Sequence, residues 1–376
     1  MHDLAARSGH LVGRGNGTAR PDAAEFGTAP HEGHPRATRV CHRAGMRPPP
    51  EQLARWRSEA WRADMAAWLH SVVADAGAEP TAAMVVHRVA FWSALVSIET
   101  AHGRLWAKEN HPVQAFEGPM TTVLAEVVSD QIVAPAAVSG ARMATWDAGP
   151  VLTETGEPDA DWLTAVVSEF AELQRRVEVH GRRLLTAGLP DFPVSAVPGY
   201  VATQLDACQL LPVGHPFHLT RGAADAMEAG LHRARAAVEV LSRVDIPPSI
   251  EHNDLYGANC FPDLSGTGGH RLRFFDFGDA VWTHPFGVLA IPLRIAFSIG
   301  VTDADTARLV DAYLDAWTDV APLAELRPLV PAAVRLAGAQ RFETYRRQLA
   351  GVDPEAFRGW ETSALGWLAS TTDPQP

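Results

Sequence analysis

Lysine is all but absent from this chain of 376 residues: among 32 lysines and arginines, Lys108 is the one lysine. A chain that writes arginine wherever a generic positive charge will serve gives weight to the exception, because lysine offers a compact ammonium on a flexible stem. Cysteine is also scarce. Cys41, Cys208 and Cys260 form an odd set without metal-ligand spacing, which excludes a disulfide scaffold or zinc ribbon and suits a reducing, cytoplasmic setting. Long apolar runs are missing: the longest, over 286–301, is broken by Pro292 and Arg294, so no membrane span is expected. The first ten residues carry no apolar segment, and no secretory signal is expected either. Positive charge is in deficit, with 44 acidic against 32 basic residues and a net charge of −12. That balance argues against a nucleic-acid backbone as partner and is compatible with a cationic small molecule drawn to an acidic cleft.

What remains is material for a sizeable core, at 47% hydrophobic and 20% charged residues, in a length that suits two lobes. Residues 1–50 are rich in Gly, Ala, Arg, Pro and His without sustained apolar periodicity, and read as a disordered tail. From Glu51, apolar residues including Trp56, Trp61, Met65, Trp68 and Leu69 recur every three or four positions, which predicts an amphipathic helix packed on a sheet. Strands are expected at 84–91, 94–100 and 104–108, a helix at 116–128, and two more strands at 132–136 and 141–146. Residues 147–150, D-A-G-P, break the pattern as a hinge. Helices are expected at 162–185, 223–244, 303–317, 329–349 and 354–368. The turn at Trp92-Ser93 between the first two strands has neither G-x-G-x-x-G nor G-x-x-x-x-G-K-[ST], which disfavours a Walker-type nucleotide site.

One stretch interrupts the helical half. An apolar lead-in at Ile250 runs into H-N-D-L-Y-G-A-N at 252–259, a short strand, a glycine-rich spacer, and a second strand that ends in F-D-F-G-D-A at 275–280. Phosphoryl transfer needs one carboxylate free to accept the proton of an attacking hydroxyl, and an Asp with a side-chain amide oxygen to hold Mg²⁺ on the nucleotide. Asp254 is the candidate base, and Asn259 with Asp276 the candidate metal pair. Both the order and the local context of the two motifs match a kinase signature. The plainer alternative is a β-hairpin whose Asp and Asn residues cap turns. Lys108, in the strand-like G-R-L-W-A-K-E-N, stands where a kinase places the lysine that pairs the nucleotide phosphates. Glu117 and Glu126 are both candidates to pair with it; Glu117 is preferred because it lies near the helix start.

With these residues assembled, the chain resembles the aminoglycoside phosphotransferase family, the antibiotic-kinase branch of the protein-kinase-like fold. H-N-D-L-Y-G-A-N matches the family's H-G-D-L-x-x-x-N, and F-D-F-G-D-A its I-D-W-x-x-A. The resemblance implies an α+β, bilobal fold: a nucleotide-binding lobe at 51–146 with a five-stranded sheet, and a mainly helical catalytic and substrate-binding lobe at 147–376 with a catalytic β-hairpin. It implies that Asp254 is the base, that Asn259 and Asp276 bind Mg²⁺, and that Lys108 contacts the α- and β-phosphates with Glu117 orienting it. His252 would brace the loop, and Asp279 would support the metal or the loop, or simply cap a turn. The implied activity is transfer of the γ-phosphate of ATP or GTP to a hydroxyl of a small molecule. Aminoglycosides, related antibiotics, choline, an amino sugar or homoserine all fit as acceptors. The alternative is a catalytically weak or silent nucleotide-binding module. Four departures stand out: Asn253 replaces the usual Gly, Ala258 stands where Gly is common, Tyr256 fills a variable position near the acceptor side, and the aspartate usual near Gly287 or Val288 is missing.

Overall fold

The computed structural model describes residues 52–262, 272–349 and 361–374. The tail expected at 1–50 and the glycine-rich spacer of the hairpin lie outside the described residues, as does the start of the helix expected at 354–368.

The described chain opens with two helices, α1 (Gln52–Arg57) and α2 (Glu59–Asp75). Ser58 separates them because its side-chain oxygen accepts from the Trp61 amide at 3.2 Å, satisfying a donor at the start of α2 that has no partner within the helix. Trp61, Met65, Leu69, Val72 and Val73 form the buried stripe of α2, which ends at Gly77 with a φ of +68°.

Five antiparallel strands follow: β1 (Val85–Val89), β2 (Ser93–Thr100), β3 (Gly103–Asn110), β4 (Ala137–Ser139) and β5 (Arg142–Trp146), in the order β1-β2-β3-β5-β4. Helix α3 (Glu117–Val127) connects β3 to β4. The fourth strand lies at Ala137–Ser139 and not at 132–136, since Pro135 has no amide hydrogen to give to a ladder. Ile132 instead bridges Phe274 in the other half of the chain.

Successive strand residues face opposite sides of a sheet, and β3 uses this directly. Glu109 points toward the entry helices, where its carboxylate accepts from Trp61 Nε1 at 2.9 Å, Trp56 Nε1 at 3.2 Å and Arg142 Nε at 2.9 Å, and pairs with Arg55. The aromatic stripe of the entry helices therefore packs against the sheet, with Trp56 and Trp61 buried. Lys108 faces the other way, into the cleft.

The remainder is mostly helical, with α4 (Ala160–Val177), α5 (Val197–Gln209), α6 (Leu231–Leu241), α7 (Asp303–Leu314), α8 (Leu329–Leu349) and α9 (Glu361–Ser370) as its main rods. The helix expected over 223–244 is two helices that break at Gly230, where a Cβ would overlap the Thr372 carbonyl. The one expected over 162–185 stops at Val177 and resumes at Gly181, which packs directly under Trp282. Helix α5 and a shorter helix, Ala290–Ser298, were not expected from the sequence. Pro198 and Pro292 look like breakers there, but each sits in the first turn of its helix, where a missing amide hydrogen costs little. Among the described residues no helix is long and apolar enough to cross a membrane.

Two short antiparallel pairs lie among these helices: β6 (Ser249–Glu251) with β9 (Val281–Thr283), and β7 (Cys260–Pro262) with β8 (Leu272–Phe274). Gln174 of α4, fully buried, donates to the carbonyls of Ile250 at 2.8 Å and Pro285 at 3.1 Å and accepts from Tyr313 at 2.7 Å. Every polar group of that amide is thus used to fix the backbone before β7 and after β9.

Candidate active site

The face of β3 that carries Lys108 meets the end of β8. Lys108 Nζ lies 2.6 Å from Glu117 Oε1 and 2.5 Å from Asp276 Oδ1, so residues far apart in sequence converge on one ammonium. Glu117 is fully buried at the first turn of α3 and also accepts from Asn110 Nδ2 at 2.8 Å. Glu126, the other acid considered for Lys108, pairs instead with Arg183 on the surface. Burial works against the charge on Lys108, yet Asp276 and Glu117 outweigh it and raise its pKa. Burial likewise works to raise Asp276, and Lys108 outweighs it, holding that carboxyl below its ordinary range. Gly278 brings the loop so close to α3 that a Cβ there would stand 3.0 Å from Gln114 Nε2 and 3.1 Å from Glu117 Oε2.

The loop after β6 carries the second set of groups. His252 Nε2 donates to the Phe275 carbonyl at 3.0 Å, and burial holds the imidazole neutral by lowering its pKa. Its ring packs against Phe277 at 4.7 Å between centroids, bracing one motif against the other. Asn253 adopts a φ of +61°. This explains why asparagine stands where the family pattern has glycine: the position needs the left-handed region, which asparagine enters more readily than other residues with a Cβ. Gly257 lies beneath Trp162, and a Cβ there would overlap the indole. Asn259 Nδ2 donates to the Asp254 carbonyl at 2.9 Å and to Asp254 Oδ2 at 3.4 Å.

Asp254 and Asp279 share one cation that sequence reasoning missed. Arg341, on α8, places Nη2 2.8 Å from Asp254 Oδ1 and Nη1 2.5 Å from Asp279 Oδ2, with 11% of its side chain exposed. Gln114 and Gln348 both donate to Asp279 Oδ1 at 2.9 Å. Burial raises the pKa of both aspartates and Arg341 pulls each back. As one of 31 arginines on an ordinary helical stretch, Arg341 has no mark in the sequence.

Glu251 is the other residue missed. Its carboxyl is buried, and a Cβ on Gly287 would overlap Oε2. The space near Gly287, where the family pattern places an aspartate, is thus entered by a carboxyl from β6 on the opposite side. Burial pushes its pKa up to about 8, with Arg341 pulling the other way. A charged residue in the apolar lead-in to a motif was the available signal.

The donor set suits a hard divalent cation. With Nδ2 of Asn259 turned to Asp254, its amide oxygen is left as an acceptor, and Lys108 engages only Oδ1 of Asp276. Among the described residues no three His, Cys, Asp or Glu side chains cluster as metal ligands, so this pair would need phosphate or water oxygens to complete a shell, the usual habit of Mg²⁺.

No family model and no curated protein matches this chain. Solved structures do. The GDP complex of aminoglycoside 2'-phosphotransferase-IIIa aligns with a TM-score of 0.54 at 14% identity, covering 83% of this chain and 98% of that one. A choline/ethanolamine kinase family protein from Mesorhizobium loti aligns at 0.53 and 15% identity, covering 83% and 95%. A macrolide 2'-phosphotransferase from Brachybacterium faecium aligns at 0.51 and 13% identity, covering 82% and 99%. The chain has the bilobal, protein-kinase-like α+β fold of these structures.

Proposed function

We propose that the protein is a small-molecule kinase that moves the γ-phosphoryl group of ATP or GTP to a hydroxyl group. The observation that carries this reading is the convergence of Lys108, Glu117 and Asp276 within 2.6 Å, beside a loop that presents Asp254 and Asn259. Lys108 would bind the nucleotide phosphates, held in position by Glu117. Asp254 would align the acceptor hydroxyl and take its proton, His252 and Asp279 would fix the loops, and residues 147–150 would form the hinge beside the purine. Mg²⁺ bound through Asn259 and Asp276 would neutralise phosphate charge. The work is then positioning and electrostatics, which is most of what phosphoryl transfer asks of a protein. The neighbour solved with GDP is an aminoglycoside phosphotransferase, which supports a purine nucleotide as donor.

The acceptor is proposed to be a hydroxylated amine, such as an aminoglycoside or a smaller amino alcohol. A cavity of about 430 Å³ adjoins the site at Asp279, with Asp191, Tyr200, Glu343 and Arg347 on its walls. Its size suits a small molecule. Asp254→Ala tests the assignment: transfer should fall by roughly 10²–10⁴-fold while nucleotide affinity is unchanged. Near-normal transfer by that variant would remove Asp254 from its role. One observation favours a second reading, a module that binds nucleotide without transferring it: the hold of Arg341 on Asp254. Binding of ATP or GTP, with no transfer to a panel of aminoglycosides, choline and amino sugars, would support the module.

A further inference from the structure

The turn that joins β1 to β2 cannot cover a nucleotide as a glycine-rich loop does. It consists of Ala90, Phe91 and Trp92; the Ala90 amide is taken by the Ser93 carbonyl at 2.9 Å, and Phe91 is buried. A kinase uses that loop to lay over the phosphates.

β1 contains a bulge that changes which of its residues faces the cleft. Val86 stands opposite Val96, but Arg88, not His87, stands opposite Leu95. Leu95 in turn stands opposite Lys108. Directly opposed residues share a face, so Arg88, Leu95 and Lys108 form one row on the cleft side of the sheet. Without the extra residue, Arg88 would turn to the face covered by α1 and α2. Two strand spacings, roughly 9–10 Å, separate the Arg88 and Lys108 backbones.

The guanidinium is held in place. Its Cζ lies 5.5 Å from the Trp92 ring centroid, and Nη2 makes a long contact of 3.4 Å to Ser93 Oγ. Among the described residues Nε is buried without a hydrogen-bond partner. Its positive field nevertheless reaches Asp276.

We infer that Arg88 is a second phosphate-binding cation of the nucleotide site, doing with one guanidinium what a glycine-rich loop does with backbone amides. This rests on the kinase reading above. Arg88 approaches the phosphates from the sheet edge while Lys108 holds them from the centre, and the planar fork of the guanidinium suits paired phosphate oxygens.

The test is calorimetric titration of the full chain with ATP, GTP, AMP and GMP in the presence of Mg²⁺, for the wild type, Arg88→Gln, Arg88→Lys and Lys108→Gln, each shown to be folded by circular dichroism at the temperature of the titration. Arg88→Gln should weaken triphosphate binding about 10- to 100-fold, the loss expected for a hydrogen bond to a charged group, and leave monophosphate binding nearly unchanged. Arg88→Lys, which keeps the charge but not the fork, should recover only part of the loss. Equal triphosphate affinity in Arg88→Gln and the wild type, alongside a loss in Lys108→Gln, would overturn the role of Arg88 alone. So would an equal loss for tri- and monophosphates. A wild type that binds no nucleotide would overturn the kinase reading and this inference with it.

Discussion

Among the described residues, only Asn253 and Asp276 adopt positive φ without being glycine, and each opens one of the two motif turns. Left-handed backbone costs roughly 1–2 kcal/mol for an ordinary L-residue, less for Asn and Asp, and such strain persists where the surroundings hold it. Asn253 also donates to the Asp279 carbonyl at 3.3 Å and to Thr344 Oγ1 at 3.1 Å. Asn253→Gly should therefore be near neutral, with relief at φ offsetting the lost contacts, while Asn253→Ala should cost about 1–3 kcal/mol by urea denaturation. Equal midpoints for the two variants would show that the backbone demand is absent. Glu251 makes a different kind of prediction. Its folded pKa of about 8 lies above the ordinary 4.5, so the folded state holds the proton more firmly than the unfolded state. The resulting stability is fully present below 4.5 and is lost as pH rises through 8, at no more than about 1.4 kcal/mol per pH unit. Glu251→Gln, which cannot ionise, should remove that slope. Parallel melting-temperature curves for the two proteins between pH 5 and 8 would contradict it.

At the scale of elements, β3 joins the entry helices to the cleft. Glu109 is buried and takes donors from both entry helices and from β5. Removing it leaves two indole N–H groups, Arg55 Nη1 and Arg142 Nε without that acceptor, while Arg142 keeps its pairing with Asp64. Glu109→Ala should therefore cost about 3 kcal/mol or more in denaturant unfolding, and a loss under 1 kcal/mol would show that the helices are held by apolar packing alone. Helix α8 plays the matching part below the cleft: Arg341, Gln348 and, through Thr344, Asn253 tie it to both motif turns. The loop after β6 is thereby supported from three sides, by α4 through Gln174, by the end of β8 through His252, and by α8.

Taken across the whole molecule, the parts legible in the sequence were those set by local pattern. Helical periodicity marked α2, the apolar runs marked the first three strands, and the two motifs marked the turns that now lie together. What stayed hidden depended on contacts between distant residues. Thr372 packs on Gly230 and Trp282 on Gly181, Ile132 bridges Phe274, and nothing near Arg341 announces the aspartates it joins. The fold shared with the solved phosphotransferases accounts for the architecture.

Lys108 and Glu109 are neighbours that serve opposite sides of one strand. A slip of β3 by a single residue would send the ammonium into a layer of tryptophans and bring a carboxylate to the cleft in its place, reversing the sign of the charge there. The Trp56, Trp61 and Arg142 contacts on Glu109 oppose that slip. The opening helices therefore act as a ratchet pawl for the strand, fixing which charge the cleft receives.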